Sequence, residues 1–206
     1  MNSPQNENTQ KVIFSQNNIS VKFPKQGVNG SANTLLNLGC GRDIRKGYVN
    51  VDFIKSDGVD VVWDLNEYPY PFKDSEFEEI LAYNIIEHLD KPNNFIRELW
   101  RIGKKGGKIR IIAPHFSSQS AWNDPTHVRP FGYFSFNHYD IKNSKGTSLN
   151  NLTEVKFKVK PKILFGKIHR LLGISYLANK FPLIYEYYFA YIFQSRNMTF
   201  ELEVVK

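Results

Sequence analysis

The sequence predicts an α/β fold built on a mostly parallel β-sheet. Between residues 34 and 114, short apolar runs alternate with tight turns and one amphipathic helix. Such runs are typical of buried parallel strands that are covered on both faces. Four of the five predicted strands end in a glycine-rich turn or a polar residue. Because ligands bind beyond the carboxyl ends of such strands, we expect the functional site at that edge of the sheet.

The predicted strands and helix follow one another in a regular order. The strands are predicted at residues 34–38, 48–52, 59–64, 79–84 and 108–113. The helix precedes the last of them, with Asp90 as its N-cap, Pro92 in its first turn and Gly103 as a left-handed stop. Its apolar face consists of Phe95, Ile96, Leu99, Trp100 and Ile102. This face would cover one side of the sheet.

The remainder of the chain has a long irregular segment followed by further regular elements. Residues 115–140 combine histidine, aromatic residues, serine and proline, which is typical of a functional loop. A strand pattern returns at Val155, and residues 198–205 predict a final strand. Between them, residues 164–179 and 181–193 carry apolar stripes at helical spacing. We interpret the second stripe, rich in Tyr and Phe, as a helix packed on the core or on a second copy of the chain.

Length and composition indicate one globular domain. We expect a flexible leader and irregular lead-in at residues 1–33 and a single domain at residues 34–206. Hydrophobic residues make up 41% and charged residues 23%, which excludes a wholly disordered or fibrous chain. The only cysteine, Cys40, excludes an intrachain disulfide and disfavours a cysteine-based zinc site.

The positive charge is concentrated in the last third of the chain. Residues 1–141 contain 16 basic and 16 acidic side chains, whereas residues 142–206 contain 11 basic and 4 acidic ones. Such a segment attracts anionic partners or simply aids solubility. The polar start contains no secretory signal, and the longest apolar stretch, 181–193, is too short to span a bilayer. We therefore expect a cytoplasmic protein.

A glycine-rich turn, Gly39-Cys40-Gly41, follows the first predicted strand and is the sharpest motif. Glycines at such a turn let a ligand approach the backbone closely. A dinucleotide fingerprint requires a third glycine where this chain has Ile44, and no P-loop lysine follows. A nicotinamide-dependent oxidoreductase is therefore disfavoured. The pattern fits a nucleoside-type ligand without a pyrophosphate.

Two aspartates end the next two predicted strands. Asp52 lies 13 residues after Gly39, and its carboxylate could accept both hydroxyls of a ribose. Asp64 could meet an adenine amino group. For each of them the alternative is a residue that caps a turn.

Several segments of the chain, in the same order, resemble the class I S-adenosylmethionine-dependent methyltransferases. The matching segments are LNLGCG, GYVNVD, VDVVWDLNEYPYPFKDSEFEEI, NIIEHLDKP and ELWRIGKKGGKIRIIAPHF. Within that class, the chain is similar to small bacterial members of the methyltransferase-type-11 kind that are linked to surface-glycan synthesis. The resemblance implies a Rossmann-like fold with a seven-stranded, mostly parallel sheet, an antiparallel last strand and helical cover. It also implies S-adenosylmethionine as the cofactor.

The resemblance further implies which residues bind the cofactor. They are Leu38, Gly39, Cys40 and Gly41 toward the methionine part, Asp52 and Phe53 at the ribose, Asp64 and Leu65 at the adenine, and Asn84. One departure from the family concerns residues 42–47, the only residues between the glycine turn and the second strand. The first helix of the family must therefore be shortened or lost.

The acceptor side is expected in two insertions, at about 115–150 and 164–195. The candidate catalytic residues are His115, Asp124 and His127, since a base assists methyl transfer to a poorly acidic hydroxyl or a protonated amine. Further acceptor-side candidates are His88 and Arg129. Each of these could also be an ordinary loop residue, and for His88 we favour a structural role beside Glu87. The spacing of the candidates matches no metal-binding signature, so we expect no metal.

The sequence leaves the binding partners and one alternative function open. The expected methyl acceptor is a small molecule or a glycan intermediate. Residues 164–195 could mediate peripheral membrane contact or homodimerisation, whereas the absence of an RNA-binding module disfavours nucleic acid. The alternative is a non-catalytic cofactor-binding module that is recruited through its basic, aromatic C-terminal third. Convergence of His115, Asp124, His127 and Arg129 on an open pocket beside the cofactor site would favour the enzyme, and a pocket filled by the aromatic helices would favour the module.

Overall fold

The computed structural model describes residues 34–143 and 154–206, together with the backbone of two earlier strands. These strands, β1 (Lys11–Phe14) and β2 (Ile19–Lys22), form an antiparallel hairpin. The prediction of an irregular lead-in was therefore wrong for these residues, whose short apolar runs pair with each other. The expected leader and residues 144–150 of the first insertion lie outside the described residues.

The core of the protein is a seven-stranded sheet with the strand order β5-β4-β3-β6-β7-β9-β8. Its strands are β3 (Leu35–Leu38), β4 (Val49–Asp52), β5 (Val61–Val62), β6 (Phe77–Tyr83), β7 (Gly103–Pro114), β8 (Lys156–Leu164) and β9 (Asn197–Val205). The last strand, β9, is antiparallel to both neighbours, and the other strands run parallel to one another. The predicted fold class is confirmed.

Helices are few and mostly short. They are α1 (Pro92–Ile102), α2 (Ser120–Asn123), α3 (Lys167–Leu171), α4 (Ile174–Lys180) and α5 (Pro182–Ile184), with 3-10 turns at Ile86–His88, Asn137–Tyr139 and Ile141–Asn143 and a π-helical segment at Tyr185–Phe189. Residues 39–76, all of them described, contain no helix. The predicted loss of the first family helix is thus confirmed, and the helical cover is thinner than predicted.

Helix α1 has different ends from those predicted. Its N-cap is Lys91 rather than Asp90, and Pro92 occupies the first turn, where a missing N–H costs nothing. Gly103 is extended (φ −72°, ψ 137°) rather than left-handed, because the chain passes directly into β7. The ammonium of Lys206 instead donates to the carbonyls of Arg101 and Gly103, at 2.9 and 2.7 Å. A distant lysine therefore satisfies the carbonyls that a left-handed glycine would otherwise help to satisfy.

Most side chains of the C-terminal apolar stripes lie at the surface, and a few buried residues anchor the segment to the core. We call this surface the C-terminal patch. Its exposed side chains are Ile168, Leu171, Leu172, Tyr176, Leu177, Phe181, Leu183, Ile184, Tyr187, Tyr188, Phe189, Tyr191 and Ile192. The buried residues of the same segment include Phe165, Ala178, Tyr185 and Ala190. Within the described residues, no helix has the length and apolar character to cross a membrane.

Candidate functional site

The turn after β3 combines two glycines in the left-handed region. Gly39 has φ +63° and Gly41 has φ +49°. A Cβ atom at Gly39 would lie 2.1 Å from Cδ1 of Ile85, so the backbone packs against that side chain. At Gly41 a Cβ atom would meet nothing within 4 Å. The turn is therefore closed on the side of Ile85 and open at Gly41, where a ligand can approach the backbone.

The carboxylate of Asp52 holds this turn from the end of β4. Its Oδ2 accepts the Gly41 N–H at 2.8 Å, and its Oδ1 accepts the Ile54 N–H at 3.0 Å. Each oxygen of an ionised carboxylate can accept two hydrogen bonds, so capacity for a further donor remains on both oxygens. This arrangement fits a ligand with two neighbouring hydroxyls, such as a ribose. Phe53, beside it, is 70% exposed and can cover a bound ring.

Asp64 and Leu65 follow β5, the neighbour of β4. The Asp64 side chain is exposed, and its Oδ1 accepts the Asn66 N–H at 2.9 Å. This bond is the turn-capping role that the sequence left open for Asp64. Leu65 is buried, and its carbonyl accepts the Tyr70 hydroxyl at 2.9 Å. The pair therefore forms a fixed turn at the same edge of the sheet.

Asn84 follows β6 and has an unusual backbone. Its φ is +53°, and its side chain is exposed. Its N–H is held by the carbonyl of Ile112 at 2.8 Å. A non-glycine residue in the left-handed region costs energy and is often found at functional sites. The parallel order β5-β4-β3-β6 brings Asn84, the glycine turn, Asp52 and Asp64 to one edge of the sheet.

Two of the predicted cofactor residues present little side chain to this edge. Leu38 is fully buried in the core and could contribute only its backbone. Cys40 is 4% exposed, and burial, reinforced by the charge of Asp52, raises the pKa of its thiol to about 11. Cys40 is therefore a neutral thiol at pH 7 and contributes shape rather than charge.

A cleft of about 750 Å³ opens beside Asn84. It is lined by Asn84, Glu87, His88, Pro114, Ser120, Asn123, Asp124, Pro125, His127 and Asn197. It thus brings together three predicted residues, His88, Asp124 and His127, from two distant parts of the chain. The hydrogen bond from Val128 N–H to the Glu87 carbonyl, at 2.7 Å, ties these parts to each other.

His115 and Arg129 do not belong to the lining of this cleft. His115 is fully buried; its Nδ1 contacts Ser117 Oγ at 2.9 Å and its Nε2 contacts Glu186 Oε1 at 3.2 Å. Both ring nitrogens are thus engaged, and the residue fastens the loop after β7 to the C-terminal helices. The guanidinium of Arg129 donates to the carbonyl of Asp90 at 2.9 Å. The catalytic role of His115 and the acceptor-side role of Arg129 stay predictions, and the structure places neither residue in the lining of this cleft.

Glu87 is a site residue that sequence reasoning missed. It is 1% exposed, and neither carboxylate oxygen has a hydrogen-bond partner in the described part of the chain. Burial raises the pKa of the Glu87 carboxyl to about 7. The sequence feature that could have identified Glu87 is the Glu87-His88 pair after a predicted strand. An acid that follows an apolar strand at the functional edge of the sheet is placed to meet a ligand.

The comparisons with known proteins agree with this geometry. Residues 41–111 match the family model described as "Methyltransferase domain". A stretch of 75 residues is 35% identical to an uncharacterized protein of Methanocaldococcus jannaschii. That match covers 36% of this chain and 35% of the relative, so the chain spans about a third of the curated relative that it matches.

Solved structures share the fold at low sequence identity. A SAM-dependent methyltransferase from Archaeoglobus fulgidus has a TM-score of 0.54 and 17% identity, covering 82% of this chain and 85% of its own. The 4+2 cyclase SpnF has a TM-score of 0.50 and 16% identity, covering 83% and 74%. Residues 41–111 are thus similar to a methyltransferase domain, and the seven-stranded sheet shares the fold of these solved structures.

Proposed function

We propose that the protein transfers a methyl group from S-adenosylmethionine to a small-molecule or glycan-intermediate acceptor that binds in the cleft beside Asn84. The observation that carries the proposal is the adjacency of two features at one sheet edge. The glycine turn held by Asp52 is suited to the cofactor, and Asn84 connects it to a cleft large enough for an acceptor. Methyl transfer requires such adjacency because the protein mainly positions the two reactants in line.

The chain's own residues would hold the cofactor by backbone and carboxylate contacts. Asp52 accepts the ribose hydroxyls with the capacity that its two backbone bonds leave free. Gly39 and Gly41 leave the backbone accessible to the methionine part, and Asp64 borders the adenine. Asn84 lines the cleft and follows β6, the strand next to the one that leads into the glycine turn.

The acceptor would be oriented by the polar wall of the cleft. When bound, S-adenosylmethionine would supply an electrophilic methyl group, which an acceptor lone pair would take from the sulfonium sulfur, the electron pair of the carbon–sulfur bond remaining on sulfur. Asp124 and His127 are the residues that can orient the acceptor and take its proton. Asp124 is exposed toward solvent, so the proton can leave from it to water.

The shape of the cleft favours the enzyme over a non-catalytic module. The cleft is lined by residues that follow β6 and β7 and by Asn197, and among the described residues the C-terminal patch contributes none of the lining. The aromatic helices therefore leave the acceptor side open, and of the four residues expected to converge there Asp124 and His127 do so, whereas His115 and Arg129 do not.

We also propose that the C-terminal patch contacts an anionic membrane surface. Its aliphatic and tyrosine side chains are exposed, and basic residues, among them Lys167, Arg170 and Lys180, lie within the same helices. The ammonium of Lys180 lies 5.5 and 5.4 Å from the ring centres of Tyr176 and Phe181. An apolar surface with interleaved tyrosine and cationic side chains suits the headgroup region of anionic lipids. A lipid-linked acceptor would then be presented beside the enzyme.

Cofactor binding tests the central proposal. Asp52→Ala removes both acceptor oxygens, and hydrogen bonds to a charged group contribute about 1.5–3 kcal/mol each, so we expect binding of S-adenosylhomocysteine to weaken by about 100-fold or more. Isothermal titration calorimetry on the full chain measures this change.

The matched control is Asp60→Ala. Asp60 also accepts a backbone N–H, that of Asn50 at 2.8 Å, but it lies at the opposite end of the neighbouring strand. We expect this variant to bind the ligand like the wild type. Absence of binding by folded wild-type protein, or equal losses in the two variants, would contradict the assignment of Asp52.

A further inference from the structure

We propose that the cleft contains a binding site for a divalent transition-metal ion, formed by Glu87, His88 and His127. One ligand atom from each residue lies within 4.8 Å of the others. Side-chain rotations alone can draw atoms at this spacing around one ion at bond lengths of about 2.0–2.2 Å. The inference stands on the geometry of these three side chains and is independent of the cofactor site.

The carboxylate of Glu87 is the strongest indication that a cation binds here. The side chain is 1% exposed, and both of its oxygens lack a hydrogen-bond donor in the described residues. A buried carboxylate without a donor is costly unless a proton or a cation compensates it. Glu87 lines the cleft together with two imidazoles, so a cation bound there would lie between all three groups.

The hydrogen bonds of His88 fix its tautomer. Thr126 Oγ1 contacts both Asp124 Oδ1, at 2.6 Å, and His88 Nδ1, at 2.9 Å. The hydroxyl has a single hydrogen, which it donates to the carboxylate, so His88 must donate its Nδ1–H to the hydroxyl. The Nε2 atom of the neutral imidazole therefore carries the lone pair that a metal ion requires.

His127 is prepared in the same way. Its Nδ1 lies 3.3 Å from the carbonyl oxygen of Ala121, which can only accept. Nδ1 therefore carries the hydrogen, and Nε2 again carries the lone pair. Metal-binding histidines in proteins commonly donate the N–H of their second ring nitrogen to a carbonyl or carboxylate oxygen in this manner. The two rings lie at a centroid distance of 4.6 Å and are inclined by 68°.

The ligand set indicates the class of ion. Two imidazole nitrogens and one carboxylate oxygen suit zinc or another transition-metal ion, whereas magnesium and calcium prefer oxygen ligands. Three protein ligands leave a coordination position open toward the cleft, as in catalytic rather than structural zinc sites. If the proposed function holds, an acceptor hydroxyl bound at that position would lose its proton more readily, and Asp124 would remain to take it.

Metal titration of tag-free protein, dialysed against a chelator and measured without S-adenosylmethionine, tests the site. We expect the full chain to bind one Co²⁺ or Zn²⁺ ion by calorimetry, and the Co²⁺ form to show visible absorption bands of a site with nitrogen ligands. Glu87→Gln and His88→Gln each remove one ligand, so each should weaken binding by at least about 100-fold.

The control variant is His169→Gln, which changes a histidine outside the cluster and should bind the ion like the wild type. A wild-type protein that binds no transition metal, or a Glu87→Gln variant that binds it undiminished, would overturn the site. Binding of S-adenosylhomocysteine by the same samples is measured separately, so that loss of the metal site is distinguished from failure of the proposed function.

Discussion

At the residue scale, Gly39 and Gly41 share a left-handed backbone but need glycine for different reasons. Gly39→Ala introduces a Cβ atom 2.1 Å from Ile85, whereas Gly41→Ala meets no atom within 4 Å. The left-handed conformation costs an alanine about 1–2 kcal/mol, and overpacking adds about 1–3 kcal/mol. We therefore expect Gly39→Ala to lower the free energy of unfolding by about 2–5 kcal/mol and Gly41→Ala by about 1–2 kcal/mol, as measured by urea denaturation.

A second substitution separates the two contributions at Gly39. In an Ile85→Ala background the clash is removed, so the additional cost of Gly39→Ala should fall to that of Gly41→Ala. If Gly39→Ala is as mild as Gly41→Ala in the wild-type background, close packing against Ile85 is not the reason for glycine at this position.

The thiol of Cys40 gives a second prediction at this scale. Because its pKa is raised to about 11 by burial and by Asp52, only about one thiol in a thousand is ionised at pH 8. We expect a disulfide reagent such as dithionitrobenzoate to react with the native protein at least about 100-fold more slowly than with the protein in urea. Fast reaction of the native protein would show that Cys40 is neither buried nor neutral.

At the scale of elements, the turn after β6 concentrates backbone strain next to the proposed acceptor cleft. Asn84→Gly removes the side chain but keeps the left-handed backbone at φ +53° accessible. We expect this variant to be as stable as the wild type or up to about 1 kcal/mol more stable, and to bind S-adenosylhomocysteine more weakly. Thermal unfolding and calorimetry measure the two effects. A loss of stability with unchanged binding would assign Asn84 a structural role only.

The strands were predictable because their signals are local. An apolar run that ends in glycine or an acid identifies β3 and β4 with little dependence on the rest of the chain. The ends of α1 were not predictable in this way, since the carbonyls at its C-terminus are satisfied by Lys206, about a hundred residues away. The C-terminal stripes were ambiguous for a related reason: an apolar helical face has the same periodicity whether it meets the core or a partner.

The candidate site was predictable to the extent that strand ends carry it. Asp52, Asp64 and Asn84 each follow a strand, and parallel pairing places them at one edge. The cleft depends instead on contacts between distant segments. His127 is about forty residues from His88 in sequence, and whether it meets that residue or His115 is decided by the path of the loop, which the periodicity of the sequence does not encode.

At the scale of the whole molecule, charge and exposed apolar surface are separated from the half that carries the proposed cofactor site. The entire net charge of +7 belongs to residues 142–206, which also contain the C-terminal patch. A contiguous exposed apolar surface of this kind usually marks an interaction site. Its neighbouring lysines and arginines favour an anionic surface over a neutral one. Helices α3, α4 and α5 and the π-helical segment carry most of the patch.

Vesicle binding tests this arrangement. Leu171 and Tyr187 are 77% and 76% exposed, so Leu171→Ser with Tyr187→Ser should leave the fold intact while removing two inserted side chains. Each would contribute about 1.5–3 kcal/mol if fully buried in lipid, so we expect the double variant to bind anionic phosphatidylglycerol vesicles at least about 100-fold more weakly in cosedimentation.

Val128→Ser, an exposed position outside the patch, is the control. Binding should also weaken with salt, because the lysines and arginines act by screened attraction. A different result would assign the patch to a second copy of the chain: the wild type forms a stable dimer and does not bind vesicles, and the double variant is a monomer.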